Sequence, residues 1–210
     1  MTRILPGVLA MAIVVVASNI LVQFPIANGL LTLGAFIYPL AFLVTDITNR
    51  VFGAEQARRV VYVGFIAGIV CSLIGSQIML EFGPAVPLRI GIGSLTAFLA
   101  AQLLDVTLFN RLRDGSWWKA PVISSVVSST LDTVLFFTIA FAGFLSFGET
   151  ADAQVGWAVE SVPFLNTFGP APLWVTLATA DWAVKLAIAL VALVPFRVIV
   201  GQLMDRRAAA

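Results

Sequence analysis

The chain has 210 residues, of which 60% are hydrophobic and only 11% charged, and its formal net charge is +1. A soluble domain carries roughly 25% charged residues, so this composition predicts a protein embedded in a membrane. The near-neutral net charge argues against a basic surface for nucleic acid. The absence of histidine excludes histidine metal sites and Ser-His-Asp triads, and the one cysteine, Cys71, cannot form an internal disulfide. We therefore expect neither a metal nor another cofactor.

Long apolar runs predict an all-α polytopic membrane protein, a single domain over residues 1–210 with six transmembrane helices of about 20 residues each. The first run has features of a signal peptide, but it continues past Ala17, where cleavage would be possible, and this favours a retained helix. Gly53–Arg59 is predicted to be a polar turn, and 146–170 is the one long connection. The predicted helices are approximately Ile4–Phe24, Leu30–Val51, Val60–Leu80, Ile92–Leu112, Pro121–Leu145 and Ala171–Arg197.

The distribution of lysine and arginine predicts the orientation of these helices. One side of the membrane carries only Arg89, and the long connection on that side is acidic. The opposite side carries ten basic residues: Arg3, Arg50, Arg58, Arg59, Arg111, Arg113, Lys119, Arg197, Arg206 and Arg207. Because basic residues collect on the cytoplasmic side, both termini are predicted to be cytoplasmic.

Several polar residues interrupt the apolar helices, although ionisable groups in membrane helices seldom face lipid. Each charge at the bilayer centre costs about 2.5–3.5 kcal/mol on insertion scales, so pairing or function must offset it. On this ground the candidate substrate-binding residues are Asn19, Gln23, Asp46, Gln102, Asp105, Asp132, Asp181 and Lys185. Arg50, Asn110 and Arg111 are candidates for a gate or for positive charge at the cytoplasmic face.

The charged candidates also have structural explanations. Asp181 and Lys185 are four residues apart and are placed to neutralise each other, as are Asp46 and Arg50. Asp132 has no basic residue within one turn. It needs a partner from another helix, such as Lys185, or a ligand, or a proton.

Carboxylates, amides and aromatic rings together suit a flat heterocycle with amide-like edges. A guanine-type edge offers adjacent N–H donors to one aspartate and a carbonyl acceptor to Gln102, Asn19 or Lys185. The same groups would serve a proton relay or an amino-acid carrier. Amides such as Asn19 and Gln23 also serve as hydrogen-bond links between helices.

Six sequence blocks narrow these choices. They are ASNILVQFP from Ala17, YPLAFLVTDITNRVFG from Tyr38, AQLLDVTLFNRLR from Ala101, WWKAP from Trp117, LDTVLFFTIAF from Leu131 and ADWAVKLAIALVALVPF from Ala180. In this order the blocks resemble the bacterial queuosine-precursor transporters of the vitamin-uptake-transporter type. The resemblance implies a six-helix bacterial inner-membrane protein, not an enzyme, that imports 7-cyano-7-deazaguanine for tRNA queuosine synthesis. The 7-aminomethyl form is a further candidate substrate.

The hypothesis from the sequence is an alternating-access or facilitated carrier whose candidate residues line one cavity. Whether one buried aspartate also carries a proton with the substrate is left open. Three alternatives remain: a substrate-binding subunit of an ATP-driven vitamin uptake complex, an intramembrane aspartate protease, and a non-transporting scaffold. The chain has no P-loop, and no GxGD motif supports the protease. The expected partners are a small deazapurine and the lipid bilayer, without nucleic acid, and homo-oligomerisation is left open.

Overall fold

The computed structural model describes residues 4–81 and 83–208. The protein is 77% helical, which confirms the predicted all-α class. The helices are α1 (Leu5–Leu21), α2 (Gly34–Ile37), α3 (Leu40–Phe52), α4 (Ala54–Gln77), α5 (Leu88–Leu112), α6 (Lys119–Phe141), α7 (Glu149–Ala153), α8 (Leu173–Val191) and α9 (Leu193–Ala208). Antiparallel hairpins pair β1 (Pro25–Ile26) with β2 (Leu31–Thr32), β3 (Met79–Leu80) with β4 (Gly83–Pro84), and β5 (Ser161–Pro163) with β6 (Pro170–Pro172).

Four helical stretches within the described ranges are long and apolar enough to cross a membrane, namely α4, α5, α6 and the nearly continuous pair α8–α9. Helix α1 is also apolar but has only 17 residues, which is at the lower end of the roughly 17–25 residues that a spanning helix needs. The structure therefore supports a membrane protein. The count of six spans and the position of the termini stay predictions.

The second predicted helix, Leu30–Val51, is wrong as a continuous helix. Residues 31–32 pair as β2, α2 has only four residues, and α3 begins directly after Pro39. Pro39 has no backbone N–H to donate to the carbonyl group one turn earlier, so the helical hydrogen-bond ladder is interrupted there. Tyr38, the first residue of the block YPLAFLVTDITNRVFG, consequently lies at a helix break.

The predicted turn at Gly53–Arg59 is also wrong, because α4 is helical from Ala54 onward. Gly53 alone separates α3 from α4, and its φ of +91° lies in a region that favours glycine. Glu55 occupies the first turn of α4, where a carboxylate interacts favourably with the helix dipole. The polar residues mark the start of a helix and do not form a loop.

The sixth predicted helix, Ala171–Arg197, is divided between α8 and α9. The division falls at Ala192, and Pro195 just beyond it cannot donate to Val191, which favours a break at this position. The helix also extends beyond the predicted end at Arg197, because α9 includes the charged residues Asp205, Arg206 and Arg207.

The helices pack as neighbours in a bundle with two distinct ends. Helix α1 packs on α4, α3 lies against α4 and α5, and α6 lies between α5 and α8. At one end, here called the basic end, Arg50 donates to the carbonyl oxygen of Arg113, and Arg207 donates to the carbonyl oxygen of Val51. The hairpins β1–β6 lie at the other end, here called the hairpin end. There Gln23, just after the end of α1, donates to the carbonyl oxygen of Ala85 at 3.1 Å.

Three apolar clusters hold the bundle together. The first joins α1, α3, α4 and α5 through buried Met11, Ala41, Val60, Phe98 and Val106. The second closes the basic end with Val51, Phe109, Ala120, Phe196 and Val200. The third packs the long connection against α6 with Phe137, Ala140, Phe141, Val155 and Ala158. The solid packing at the basic end contrasts with a large space that begins at the hairpin end.

Candidate functional site

A cavity of about 490 Å³ extends from the hairpin end into the bundle. Its volume falls within the range of roughly 300–1,000 Å³ that is typical of small-molecule sites. The wall is mostly apolar and includes the aromatic side chains Tyr38, Phe98, Phe136, Phe137, Phe141 and Trp157. The polar and charged side chains in the wall are Ser18, Asn19, Gln23, Thr32, Ser72, Ser94, Asp132, Asp181 and Lys185.

The charged part of this wall is a cluster from α6 and α8, which we call the lysine cluster: Asp132, Thr133, Asp181, Lys185 and, from the α2–α3 break, Tyr38. Lys185 Nζ lies 2.7 Å from Asp132 Oδ2 and 2.5 Å from Asp181 Oδ2. It also donates to Thr133 Oγ1 at 3.1 Å. A lysine ammonium has three N–H donors, and here all three have a partner.

The acceptors of the lysine cluster are matched in the same way. The Tyr38 hydroxyl group donates to Asp132 Oδ1 at 2.8 Å, and the Thr133 hydroxyl group donates to Asp181 Oδ2 at 3.2 Å. Lys185 Nζ lies 5.4 Å from the centre of the Tyr38 ring, within the range of a cation–π interaction. Asp132 therefore has the interhelical partner that its position required, and the pairing of Asp181 with Lys185 is present as well.

The two carboxylates of the lysine cluster differ in exposure. The side chain of Asp181 is 16% exposed, against 3% for Asp132 and 4% for Lys185. With two aspartates and one lysine, the cluster has one more potential negative charge than positive charge. Asp181 is therefore the group best placed to accept hydrogen bonds from a molecule in the cavity.

Asn19 of α1 and Gln23, two residues after its end, line the same cavity nearer to the hairpin end. Asn19 Nδ2 donates to the carbonyl oxygen of Val15 at 2.9 Å, and Gln23 Nε2 is bound to Ala85 as described above. Five of the eight candidate substrate-binding residues thus surround one space, although their binding role remains a prediction.

The other three candidates form a second group, which we call the aspartate cluster, between α3, α5 and α6. Asp46, Gln102 and Asp105 are buried at 2%, 0% and 0% exposure, and they do not line the large cavity. Thr45 Oγ1 lies 3.1 Å from Gln102 Oε1 and 3.5 Å from Asp105 Oδ2. The sequence placed all eight residues around one cavity, whereas the helix packing separates them into two groups.

A small crevice of about 10 Å³ adjoins the aspartate cluster. Asp46, Ser125 and Lys185 are among the residues that line it. Lys185 therefore lies in the wall of both spaces, between the large cavity and the aspartate cluster.

The three gate candidates lie at the basic end. Arg50 binds the backbone of Arg113 as described, and Arg113 Nη1 in turn lies 3.4 Å from Asn110 Oδ1. Asn110 and Arg111 are exposed. Arg50 thus bridges α3 to the end of α5. It does not pair with Asp46, so the explanation that these two residues neutralise each other is wrong.

Two residues of this architecture were missed in the sequence. Tyr38 was noted only as the first letter of a motif, although the hydroxyl group of a tyrosine buried in an apolar segment usually has a hydrogen-bond partner. Arg89 was counted only as a surface charge, but its side chain is 2% exposed and donates to Asp152 Oδ1 at 2.9 Å and to the carbonyl oxygen of Ile139 at 2.8 Å. Arg89 ties the start of α5 to α7 and to the end of α6.

Asp152 lies in α7, outside the helices that could span a membrane. It accepts hydrogen bonds from the hydroxyl group of Ser146 at 2.6 Å and from the backbone N–H of Phe147 at 3.1 Å. These bonds, together with the charge of Arg89, hold the pKa of Asp152 below its ordinary value. The ionised form of Asp152 is therefore the one that fastens the long connection to the bundle.

Comparisons with known proteins agree with this membrane architecture. Residues 32–200 match the profile of a family described as "Putative vitamin uptake transporter". The "Queuosine precursor transporter" of Escherichia coli (strain K12) is 32% identical over 210 residues, covering 93% of this chain and 86% of the relative. The "Probable queuosine precursor transporter" of Haemophilus influenzae is 34% identical over 208 residues, covering 87% and 79%. The protein of the same name from Bacillus subtilis is 26% identical over 182 residues, covering 77% and 68%. No solved structure matches the chain.

Proposed function

This chain belongs to the family of queuosine precursor transporters, and we propose that it imports 7-cyano-7-deazaguanine across the bacterial inner membrane through the large cavity. The 7-aminomethyl form is a second candidate substrate. The observation that carries the proposal is the lysine cluster, a buried group of matched donors and acceptors in the wall of a cavity lined by aromatic rings.

The substrate's chemistry fits this wall. A guanine-type ring presents adjacent N–H donors along one edge, and a carboxylate accepts two such bonds side by side. Asp181, the more exposed aspartate, would accept this edge, while Lys185 would donate to the ring's carbonyl oxygen. Tyr38 and the neighbouring phenylalanines would cover the ring faces.

Binding in this manner competes with the contacts that hold Lys185. In the structure Lys185 Nζ is 2.5 Å from Asp181 Oδ2, and a ligand that occupies Asp181 weakens this bond. A ligand can shift a conformational equilibrium only through contacts that differ between the two states. The exchange of Lys185 between Asp181 and the ligand supplies such a difference.

The proposed topology is a single domain of six spans with both termini in the cytoplasm, because basic residues crowd one end of the bundle. The hairpin end would then face the periplasm. In that orientation the large cavity is reached from the periplasm, and the packed cluster at the basic end closes the cytoplasmic side. The structure would correspond to the outward-facing state of an alternating-access carrier.

The function is tested by uptake of labelled 7-cyano-7-deazaguanine into cells that cannot synthesise it. Expression of the wild-type chain should restore uptake, and Asp181→Asn should reduce it, because an amide has only one acceptor oxygen and cannot accept both N–H groups of the guanine-type edge. Asp114→Asn, at an exposed position in the turn after α5, is the matched control and should leave uptake unchanged. If cells that express the wild-type chain show no uptake above the background, the proposal is overturned.

A second experiment separates a self-sufficient carrier from a subunit of an ATP-driven complex. The purified chain is reconstituted alone in liposomes, and exchange of labelled for unlabelled substrate is measured without ATP. Exchange by the chain alone is the expected result. Substrate binding without any exchange would favour the subunit.

A further inference from the structure

The aspartate cluster contains two buried carboxyl groups, those of Asp46 on α3 and Asp105 on α5. They are neighbours, because Asp105 Oδ2 lies 3.5 Å from Oγ1 of Thr45, the residue that precedes Asp46. Their other contacts are long: Ser124 Oγ lies 3.5 Å from Asp46 Oδ1, and Ser125 Oγ lies 3.4 Å from Asp46 Oδ2. Hydroxyl bonds of this length give little compensation for a buried negative charge.

No cation balances this pair in the described part of the chain. Asp46 and Asp105 take part in none of the ion pairs there. On α3, Arg50 is bound to a backbone carbonyl oxygen at the basic end, and on α8, Lys185 is held by its own two aspartates. Helix α6 contributes serine side chains to the cluster. Neighbouring buried carboxyl groups without a cation are typically not both ionised, because the two like charges repel each other, and such groups typically share a proton.

Two unpartnered atoms in the cluster point to the same conclusion. Within the described residues, Asp105 Oδ1 and Gln102 Nε2 are buried and have no hydrogen-bond partner. Asp105 Oδ1 is a buried acceptor without a donor. A proton bound to one of the two carboxyl groups would supply the donor that this atom lacks. Gln102 is anchored to the same cluster through Thr45, and its N–H group would not be placed beside a bound metal cation.

The available space also favours a proton. The crevice beside Asp46 measures about 10 Å³, which is close to the smallest space that holds even one water molecule. A sodium ion with its ligands needs more room than this, whereas a proton shared between two oxygen atoms needs none.

We propose that Asp46 and Asp105 form a proton-binding pair that couples substrate import to the inward movement of one proton. This inference rests on the proposed function. The pair would be protonated while the cavity faces the periplasm. When the packed basic end opens, water would enter beside Asp46 and stabilise both carboxylates, and the proton would leave to the cytoplasm. Lys185, which lines both spaces, would connect the two events.

Infrared spectroscopy tests the pair without any substrate. The purified wild-type protein at neutral pH should show the C=O stretch of a protonated carboxylic acid, shifted on transfer to heavy water. The double variant Asp46→Asn/Asp105→Asn should remove this band, whereas Asp114→Asn should retain it. Absence of the band in the wild type, or its persistence in the double variant, would overturn the proposal.

Liposome transport tests the coupling. An imposed gradient, acidic outside, should drive accumulation of labelled 7-cyano-7-deazaguanine by the wild type, and an equal sodium gradient should not. In Asp105→Asn the pH gradient should no longer stimulate substrate accumulation, whereas the exchange of labelled for unlabelled substrate should be reduced less. Wild-type exchange that does not respond to pH, or that responds to sodium, would refute the coupling alone. The infrared band together with no exchange of any kind would refute the proposed function and not the proton pair.

Discussion

Replacement of Lys185 by methionine is the sharpest test of the lysine cluster. The substitution keeps an unbranched side chain of similar length but removes the cation that lies 2.7 Å from Asp132 and 2.5 Å from Asp181. Removing one partner of a buried ion pair costs about 3–5 kcal/mol, because the remaining charge is left uncompensated. We therefore expect Lys185→Met to lose this amount of unfolding free energy, measured by chemical denaturation in detergent micelles through tryptophan fluorescence.

Two further variants show whether the loss comes from charge. A triple variant that also carries Asp132→Asn and Asp181→Asn has no charge left in the cluster and should recover most of the lost stability, since neutral replacement of a whole buried ion pair is often close to neutral. Arg59→Met removes a surface partner of Glu55, where the side chains are 55% and 74% exposed, and should cost only about 0–1 kcal/mol. If Lys185→Met is as stable as the wild type, or if the triple variant is as unstable as Lys185→Met, the electrostatic account is wrong.

Two other predictions concern the hydrogen bond of Tyr38 and the ion pair of Asp152 with Arg89. Tyr38→Phe removes the hydroxyl donor to Asp132 and should cost about 1.5–3 kcal/mol of unfolding free energy, the range for a hydrogen bond to a charged group. The control Tyr62→Phe, at a 49% exposed position, should leave the unfolding free energy unchanged. Equal losses in the two variants would contradict a stabilising role of the Tyr38–Asp132 hydrogen bond. The lowered pKa of Asp152 means that its ionised form stabilises the fold at neutral pH and that this stability is lost as the pH falls through the lowered value. Acidification should therefore release Arg89 and increase protease cleavage of the long connection, and a variant Asp152→Asn with unchanged acid sensitivity would contradict this.

The membrane class and most helices could be predicted from the sequence because they depend on local composition. Apolar runs of the required length are readable in any single chain, and α5 and α6 lie close to their predicted ranges. The errors arose where one residue outweighed the composition around it. Pro39 and Pro195 interrupt apolar runs, and Gly53 reverses the chain in one residue where a longer turn was expected.

The residues of the site could be predicted, but their separation into the lysine cluster and the aspartate cluster could not. Asp132, Asp181 and Lys185 were identified because unpaired charges inside a bilayer are costly, and the need of Asp132 for a distant partner follows from its own helix. Which helix faces meet depends on the rotation and tilt of each helix, and no local pattern determines these. The sequence therefore could not separate Asp46 and Asp105, on the faces of α3 and α5 that meet α6, from the residues of the large cavity.

The two clusters together suggest why the helix break beside Tyr38 is useful to a carrier. Transporters often place their sites at discontinuous helices, where a short half-helix can move without rotating the whole bundle. Here Tyr38 contacts Asp132 on the cavity side of the break, and Asp46 lies two turns further along α3 in the aspartate cluster. A tilt of α3 about Pro39 would move Asp46 relative to Asp105, and it would also disturb Tyr38, which directly precedes the pivot. Substrate release from one cluster and proton release from the other would then be parts of a single movement, because Tyr38 and Asp46 lie on either side of the same break.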